Sequence, residues 1–507
     1  MTAVLSSLTR RDLLRHSLVA GGVVVSPTLV RSTRAQEATP TGPPGATPTA
    51  SPATVADSPR FQELGDRVVA RMAELQVPGV AVGVVADDVD YAAGYGVRNV
   101  DHPMPVDVDT LFQIGSTTKT YTGTALMRLV EQGRLDLEAS VRTYLPAFRV
   151  SDEGVSAEVT IRDLVTHTAG WFGDVFTETG DGDDALARFV EAMAFLPQIA
   201  PLGAYLSYNN ASLSVLGRVI EVVTGQTYEA AVGELVFAPL GLERNSFFAD
   251  QIMTEEFAVG HTASPDDPTG PPVVVTEWAL PRAVNPAGGV ISSVTDQLRY
   301  ARFHLGDGTV DGAQVLEAET LHAMQRPLGP GGTLGADVLD GVGVDWLLTT
   351  RGGERIVMHG GSTNGQQSSF LMAPNHGFAV TILTNSESGA ILAEEAAGWA
   401  LELFLGVEEP SPAPIDVAPE RRAEYAGEFS ATPDAVISVA AGDGGLSLSV
   451  TQGGAATPAL EGPLTIVGED LAAFDVGGLL SLSDFVRDDA GAVAWLRFSG
   501  RLYPRVG

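Results

Sequence analysis

The chain has no cysteine, which excludes disulfides, thiolate metal clusters and a cysteine nucleophile. It nearly lacks lysine too: of 30 cationic residues, Lys119 is the single lysine and the others are arginine. Positive charge is scarce overall, because 63 acidic residues bring the formal net charge to −33. That balance argues against sequence-independent nucleic-acid binding, which needs many phosphate-neutralising cations, and against a polybasic membrane-surface module. No apolar run reaches the ~20 residues of a membrane-spanning helix. The eight histidines are scattered without a His-Glu-x-x-His pair, so no metal is expected. Asp181-Gly182-Asp183-Asp184 lacks the ligand spacing of a calcium loop and reads as a solvated turn. Gly329 to Gly332 lacks the Lys and Ser/Thr of a phosphate-binding loop, so no cofactor is expected either. The chain also has no Gly-x-Ser-x-Gly elbow, which disfavours an α/β-hydrolase.

At 44% hydrophobic and 18% charged, the sequence is that of a globular protein. Its 507 residues leave room for two or three domains of ~100–200 residues each. Thr9-Arg10-Arg11-Asp12-Leu13-Leu14 sets a twin arginine before an apolar run, Ser17 to Val30, too short to span a membrane. The stretch resembles a twin-arginine (Tat) export signal, with cleavage expected after Ala35, although Leu13 stands where an aromatic is usual. Residues 36–58 are rich in Pro, Thr and Ala and read as a tether. The mature chain is therefore expected outside the cytoplasm, in the cell envelope or the medium. A second break falls at Glu408-Glu409-Pro410-Ser411-Pro412-Ala413-Pro414, whose alternating prolines favour an extended spacer. The expected domains are thus 59–408 and 420–507, joined by a linker over 409–419.

The two domains differ in periodicity. Thr118 to Glu131 carries Tyr121, Ala125, Leu129 and Val130 at helical spacing and stops at Gly133. Leu213 to Val223 repeats the pattern and closes at Gly225, whereas Gly79 to Val85 and Phe378 to Leu383 read as strands. Helices and strands are mixed rather than strictly alternating, which predicts an α/β or α+β core. The C-terminal part reads as all-β: Val436–Ala440 and Leu446–Val450 flank a Gly442-Asp443-Gly444-Gly445 turn. A further strand segment, Val493 to Tyr503, follows the turn at Asp488-Asp489-Ala490-Gly491.

The lone lysine lies in Ser116-Thr117-Thr118-Lys119, at the start of the first strong helix. Residues i and i+3 share a helix face, so the serine hydroxyl and the lysine amine can meet. A serine needs a neighbouring base to become a nucleophile, and a desolvated lysine can lose its proton where an arginine cannot. Two further elements follow in order: Tyr208-Asn209-Asn210 before the second helix, and His359-Gly360-Gly361-Ser362 in a Gly-rich stretch. Ser-x-x-Lys, Tyr-x-Asn and His-x-Gly in that order resemble the three-motif pattern of the serine β-lactamase and penicillin-binding superfamily. Leu164-Val165-Thr166-His167-Thr168-Ala169-Gly170, Pro239-Leu240-Gly241-Leu242 and Pro286-Ala287-Gly288-Gly289 match its surrounding text over about residues 60–405.

The resemblance is to the class C branch, with its D-alanyl-D-alanine carboxypeptidases, D-aminopeptidases and esterases. It implies a β-lactamase/transpeptidase-like core, an antiparallel sheet flanked by helices. Ser116 is implied as the acylated nucleophile, Lys119 as its activator and Tyr208 as a proton shuttle. Asn210 is implied to hold the acyl group's amide or carbonyl, and His359 to tune Tyr208. The oxyanion hole is implied at the N–H groups of Ser116 and Ser362, with Gly360 and Gly361 lining the substrate strand. β-Lactamases carry Lys where His359 stands; a mostly neutral imidazole should hold a penicillin carboxylate less well. Arg351 or Arg355 is a candidate replacement cation. From Tyr425-Ala426-Gly427-Glu428-Phe429 onward the C-terminal part resembles the lipocalin-like β-domain often appended to this family. The expected function is an exported serine hydrolase acting through an acyl-enzyme on a small amide or ester, a small molecule or peptide. A true β-lactamase and a catalytically idle penicillin sensor remain as alternatives.

Overall fold

The computed structural model describes residues 58–408, 412–432, 435–442, 444–453, 455 and 457–506. The expected export signal, the expected tether up to residue 57 and residues 409–411 of the expected linker lie outside the described residues.

The centre of the molecule is an antiparallel sheet of eight strands. In chain order they are β1 (Gly79–Ala86), β2 (Val89–Gly96), β3 (Gly332–Leu334), β4 (Asp337–Val342), β5 (Leu347–Arg351), β6 (Glu354–Thr363), β7 (Gln366–Ala373) and β8 (Phe378–Thr384). Across the sheet they run β2-β1-β8-β7-β6-β5-β4-β3. All eight residues of β1 are buried, which explains its unbroken run of Val, Ala and Gly: both faces of this strand are covered. On one face lie α1 (Pro59–Leu75) and, from the far end of the chain, α5 (Gly389–Leu405). The Ser58 hydroxyl caps α1 by accepting from Phe61 N at 3.3 Å, with Pro59 in the first turn.

The other face carries the larger core, built on α2 (Thr118–Glu131), α3 (Asn210–Thr224) and α4 (Val294–Leu305). α3 is capped by the Asn209 side chain, which accepts from Ser212 N at 2.9 Å, and ends on Gly225 at φ 76°. The sequence pattern predicts a one-sided helix at α2, but the structure buries every residue from Thr118 to Met127. Its threonines make this possible because each hydroxyl finds a nearby partner: Thr118 Oγ1 accepts from Val290 N at 3.0 Å, and the others donate. Thr120 donates to Thr117 O and Thr124 to Thr120 O, both at 2.8 Å, and Thr122 to Pro286 O at 2.7 Å.

The C-terminal part is a closed antiparallel barrel, in keeping with a lipocalin-like domain. Its strands are β9 (Gly427–Thr432), β10 (Ala435–Gly442), β11 (Gly445–Gln452), β12 (Leu460–Gly468), β13 (Leu471–Val476), β14 (Leu479–Arg487), β15 (Val493–Phe498) and β16 (Arg501–Val506). Phe429, Leu448, Phe474, Phe485 and Leu496 fill its interior. The expected single segment from Val493 to Tyr503 is in fact two strands. They turn back at Ser499 and Gly500, both with positive φ (48° and 79°).

That turn docks on the core. Gly500 O accepts from Tyr208 N at 2.8 Å, Trp495 Nε1 donates to Ile199 O at 2.8 Å, and Leu482 N donates to Gly335 O at 2.7 Å. Arg497, only 4% exposed, donates to Leu206 O at 3.0 Å and grips both Asp484 oxygens at 2.8 and 2.6 Å. Replacing it removes the counter-charge of Asp484, which keeps only the Thr333 N–H and hydroxyl as donors to Oδ1, and takes the side-chain donor from Leu206 O at the seam. Arg497→Met is therefore expected to destabilise the protein by about 3 kcal/mol in chemical denaturation, with earlier unfolding of the barrel. An unchanged midpoint would show that the two parts are not coupled through this residue.

Candidate active site

The turn before α2, Gly115–Thr117, lies against β6 at a distance only glycines permit. A Cβ on Gly115 (φ 50°) would stand 2.4 Å from Ser362 N, and one on Gly361 would stand 1.9 Å from Ile114 O and 2.8 Å from Ser116 N. These two glycines bring the backbone nitrogens of Ser116 and Ser362 to one seam, beside the Ser116 hydroxyl.

Behind the serine, Lys119 is completely buried. Its Nζ meets three acceptors: Ser116 Oγ at 3.0 Å, Asn210 Oδ1 at 2.7 Å and Ala287 O at 2.8 Å. The Pro286-Ala287-Gly288-Gly289 segment thus supplies a backbone carbonyl to the amine. Desolvation pushes the Lys119 pKa down from 10.5 to about 7, with Arg501 also lowering it and Asp345 and Asp174 opposing. Near neutrality the amine therefore spends much of its time unprotonated, donating twice and accepting the Ser116 proton with its lone pair.

Tyr208 is buried, and its hydroxyl hydrogen-bonds with Ser116. Burial raises its pKa above the ordinary 10 even though Ser116 and Arg501 pull the other way, so the resting phenol keeps its proton. Lys119 is the group of this pair that titrates near neutral pH. The Tyr208 ring packs against both basic groups, with Lys119 Nζ 4.9 Å and Arg501 Cζ 4.6 Å from its centroid. His167, in the left-handed conformation (φ 58°), lies 4.5 Å away, and its Nδ1 accepts from Asn209 N at 3.1 Å. His359 lies 6.0 Å from Tyr208 and its Nδ1 donates to Gly360 O at 2.6 Å. Burial first, and Lys119 second, push the His359 pKa down to about 3, so this imidazole is neutral.

The residues of the three motifs singled out in the sequence therefore meet at one seam: Ser116, Lys119, Tyr208, Asn210, His359, Gly360, Gly361 and Ser362. Both ends of the Asn210 carboxamide are already engaged, Oδ1 by Lys119 and Nδ2 by Asp174 Oδ1 at 2.8 Å. Asp174 Oδ2 in turn accepts from Arg501 Nε at 3.0 Å, so a continuous chain joins Ser116 to the barrel. Neither Arg351 nor Arg355 serves as the suggested cation. Arg351 is buried with Asp337 and Glu394, and Arg355 donates to Gln325 O. Arg501 is the cation that lines the cavity.

Sequence reasoning missed Asp174, Arg501 and Asp345, because nothing distinguishes one arginine or aspartate among many before the chain is folded. Asp345 is 1% exposed at φ 55°, and neither of its carboxylate oxygens has a hydrogen-bond partner among the described residues. Its Oδ2 lies 3.1 Å from where a Cβ on Gly123 would stand, one helical turn beyond Lys119. Burial holds its pKa well above the usual carboxylate range. Among the described residues no group of three or more metal-ligating side chains is present.

This geometry makes Ser116 reactivity depend on the protonation of one amine. The rate at which a fluorophosphonate captures Ser116 is expected to fall tenfold per pH unit below about pH 7, the folded-state pKa of Lys119. Lys119→Arg keeps the charge, cannot deprotonate, and is expected to lower that rate by about 10³-fold at every pH. A pH-independent wild-type rate would contradict the assignment.

Comparison with known proteins agrees with this architecture. The Beta-lactamase family model matches residues 64–403. Penicillin-binding protein 4 of Amycolatopsis lactamdurans is 35% identical over 364 residues, 70% of this chain and 94% of that protein. The crystal structure of SurE with D-Leu superposes with a TM-score of 0.70 at 26% identity, covering 88% of this chain and 99% of SurE. The octameric penicillin-binding protein homologue from Pyrococcus abyssi gives a TM-score of 0.60 at 24% identity over 87% of this chain and 99% of its own, and shares the fold. The chain belongs to the β-lactamase family of serine hydrolases and penicillin-binding proteins.

Proposed function

We propose that the protein is an exported hydrolase that cleaves a small amide or ester through a Ser116 acyl-enzyme. The observation that carries this reading is the hydrogen bond between Ser116 Oγ and a fully buried Lys119 whose pKa is brought down to about 7. Unprotonated Lys119 takes the Ser116 proton as Oγ bonds to the substrate carbonyl carbon. The carbonyl oxygen takes the negative charge and is met by the N–H groups of Ser116 and Ser362. On collapse the bond to the leaving nitrogen or oxygen breaks. The proton passes from Lys119 to the leaving group through the Tyr208 hydroxyl, which gives one proton as it gains another. Water then repeats the sequence in reverse order and releases the acid.

A D-amino-acid residue is within the proposed substrate range, supported by the likeness over most of the chain to SurE, solved with D-Leu. A lactam is the second reading, favoured by Arg501, a cation that lines the cavity. Against it, Asp174 already neutralises Arg501 and His359 carries no charge, so capture of a free carboxylate should be weak. The twin arginine Arg10-Arg11 supports export.

The wild type should be labelled by a fluorophosphonate and turn over p-nitrophenyl acetate, and Ser116→Ala should do neither. Absence of Ser116-dependent labelling would favour the idle-sensor reading. A D-amino-acid amide should outpace a cephalosporin by at least about 10-fold in kcat/KM; the reverse order would make it a lactamase.

A further inference from the structure

The catalytic seam occupies only one end of its cavity. Strand β5 pairs with β6 no further than Leu347 opposite Met358, so on that side the edge of β6 from His359 onward is unpaired. Side chains alternate along a strand, and a Cβ on Gly361 would point at Ser116 N, so Met358 and Gly360 face the opposite way. A Cβ on Gly360 would meet nothing within 4 Å except Ser368 O at 3.3 Å. The cavity, about 210 Å³, follows this opening. Its lining joins Ser116 and Tyr208 of the seam to Met358 and Leu347 of the sheet, Val476 and Leu479 of the barrel and Ala390 and Ala393 of α5.

The far wall is a built feature. The β13–β14 hairpin turns at Gly477 and Gly478, both with positive φ, and a Cβ on Gly478 would stand 3.6 Å from Ile391 of α5. The lining also includes the Asp337 and Glu394 carboxylates, both paired with Arg351. The barrel therefore closes an apolar arm that would otherwise be an open groove between the sheet edge and α5.

We propose that this arm is the acyl-side-chain subsite, and that the acyl group transferred to Ser116 carries an unbranched or leucine-like apolar chain. The inference rests on the acyl-enzyme reading above and names the substrate class. The direction follows from proton traffic. The leaving group must depart on the Tyr208 side to be protonated, while the acyl carbon is held at the N–H groups of Ser116 and Ser362. The arm that leads away from Tyr208 behind β6 is thus reached by the acyl portion. An apolar chain in it is removed from water, each methylene contributing about fourfold to kcat/KM.

The test is kcat/KM for p-nitrophenyl acetate, butyrate and hexanoate, alongside acetate esters of alcohols of increasing length. It uses wild type and two variants that fill the arm away from the seam, Ala390→Phe and Leu479→Trp. The wild type should gain about fourfold per acyl methylene and little from alcohol length. In the filled variants the ratio of hexanoate to acetate kcat/KM should fall at least about tenfold below the wild-type ratio. If a variant also loses acetate turnover, Leu479→Ala, which widens the arm, must move the optimum to longer chains. Acetate turnover with no chain-length dependence, or length dependence in the alcohol instead, overturns the subsite but leaves the hydrolase reading standing. No Ser116-dependent turnover of any ester overturns both.

Discussion

The whole site depends on keeping one amine dry. Lys119 sits in a helix buried on every side, where its charged form is disfavoured by desolvation and its three hydrogen bonds go to a serine, an amide oxygen and a backbone carbonyl. An arginine there would stay charged in any of these surroundings. The absence of lysine elsewhere is thus a matter of general charge composition, whereas Lys119 stands where only a group that can deprotonate will serve. Burying the amine also requires that α2 carry hydroxyls satisfied within the helix or by its neighbours, and that Gly115 and Gly361 let the serine turn touch β6.

The second constraint is that the site is shared between two parts of the chain. The turn at Ser499 and Gly500 holds Tyr208 by its backbone, and Arg501 holds it by its ring. Asp174 links Arg501 to Asn210, and through Asn210 to Lys119. Displacing the barrel would remove a cation that lowers the pKa of both Lys119 and Tyr208, and would loosen the carboxamide that orients the amine. The barrel is therefore part of the catalytic environment as well as a wall of the substrate cavity.

Much of this was legible beforehand where the signal is local. The bounds of α2, the strands at Gly79 and Phe378 and the Ser-x-x-Lys spacing all follow from short-range periodicity and side-chain chemistry, and the order of the three motifs pointed to the family. What depends on folding was not. Arg501 lies hundreds of residues from the serine, and no local pattern marks it among the other arginines. The reversal at Ser499 was hidden in a continuous apolar-polar stretch, and the Ser499-Gly500 dipeptide, a weak turn signal, was its one clue. Asn210 was expected to face substrate, but its partners Lys119 and Asp174 become visible only once α3 packs against α2. Tyr208 was expected to shuttle protons, but the burial that raises the pKa of its phenol is set only by the fold.

Because the chain contains a single lysine, its titration can be observed without assignment. Tag-free protein grown on lysine labelled with ¹³C at Cε should give one signal, following its chemical shift from pH 5 to 11. A midpoint near 7, moving upward in Arg501→Met as a nearby positive charge is removed, is the result expected from burial and from the barrel's cation. A midpoint near the ordinary 10.4 would mean the amine is charged at neutral pH, and would contradict its role as the base that activates Ser116.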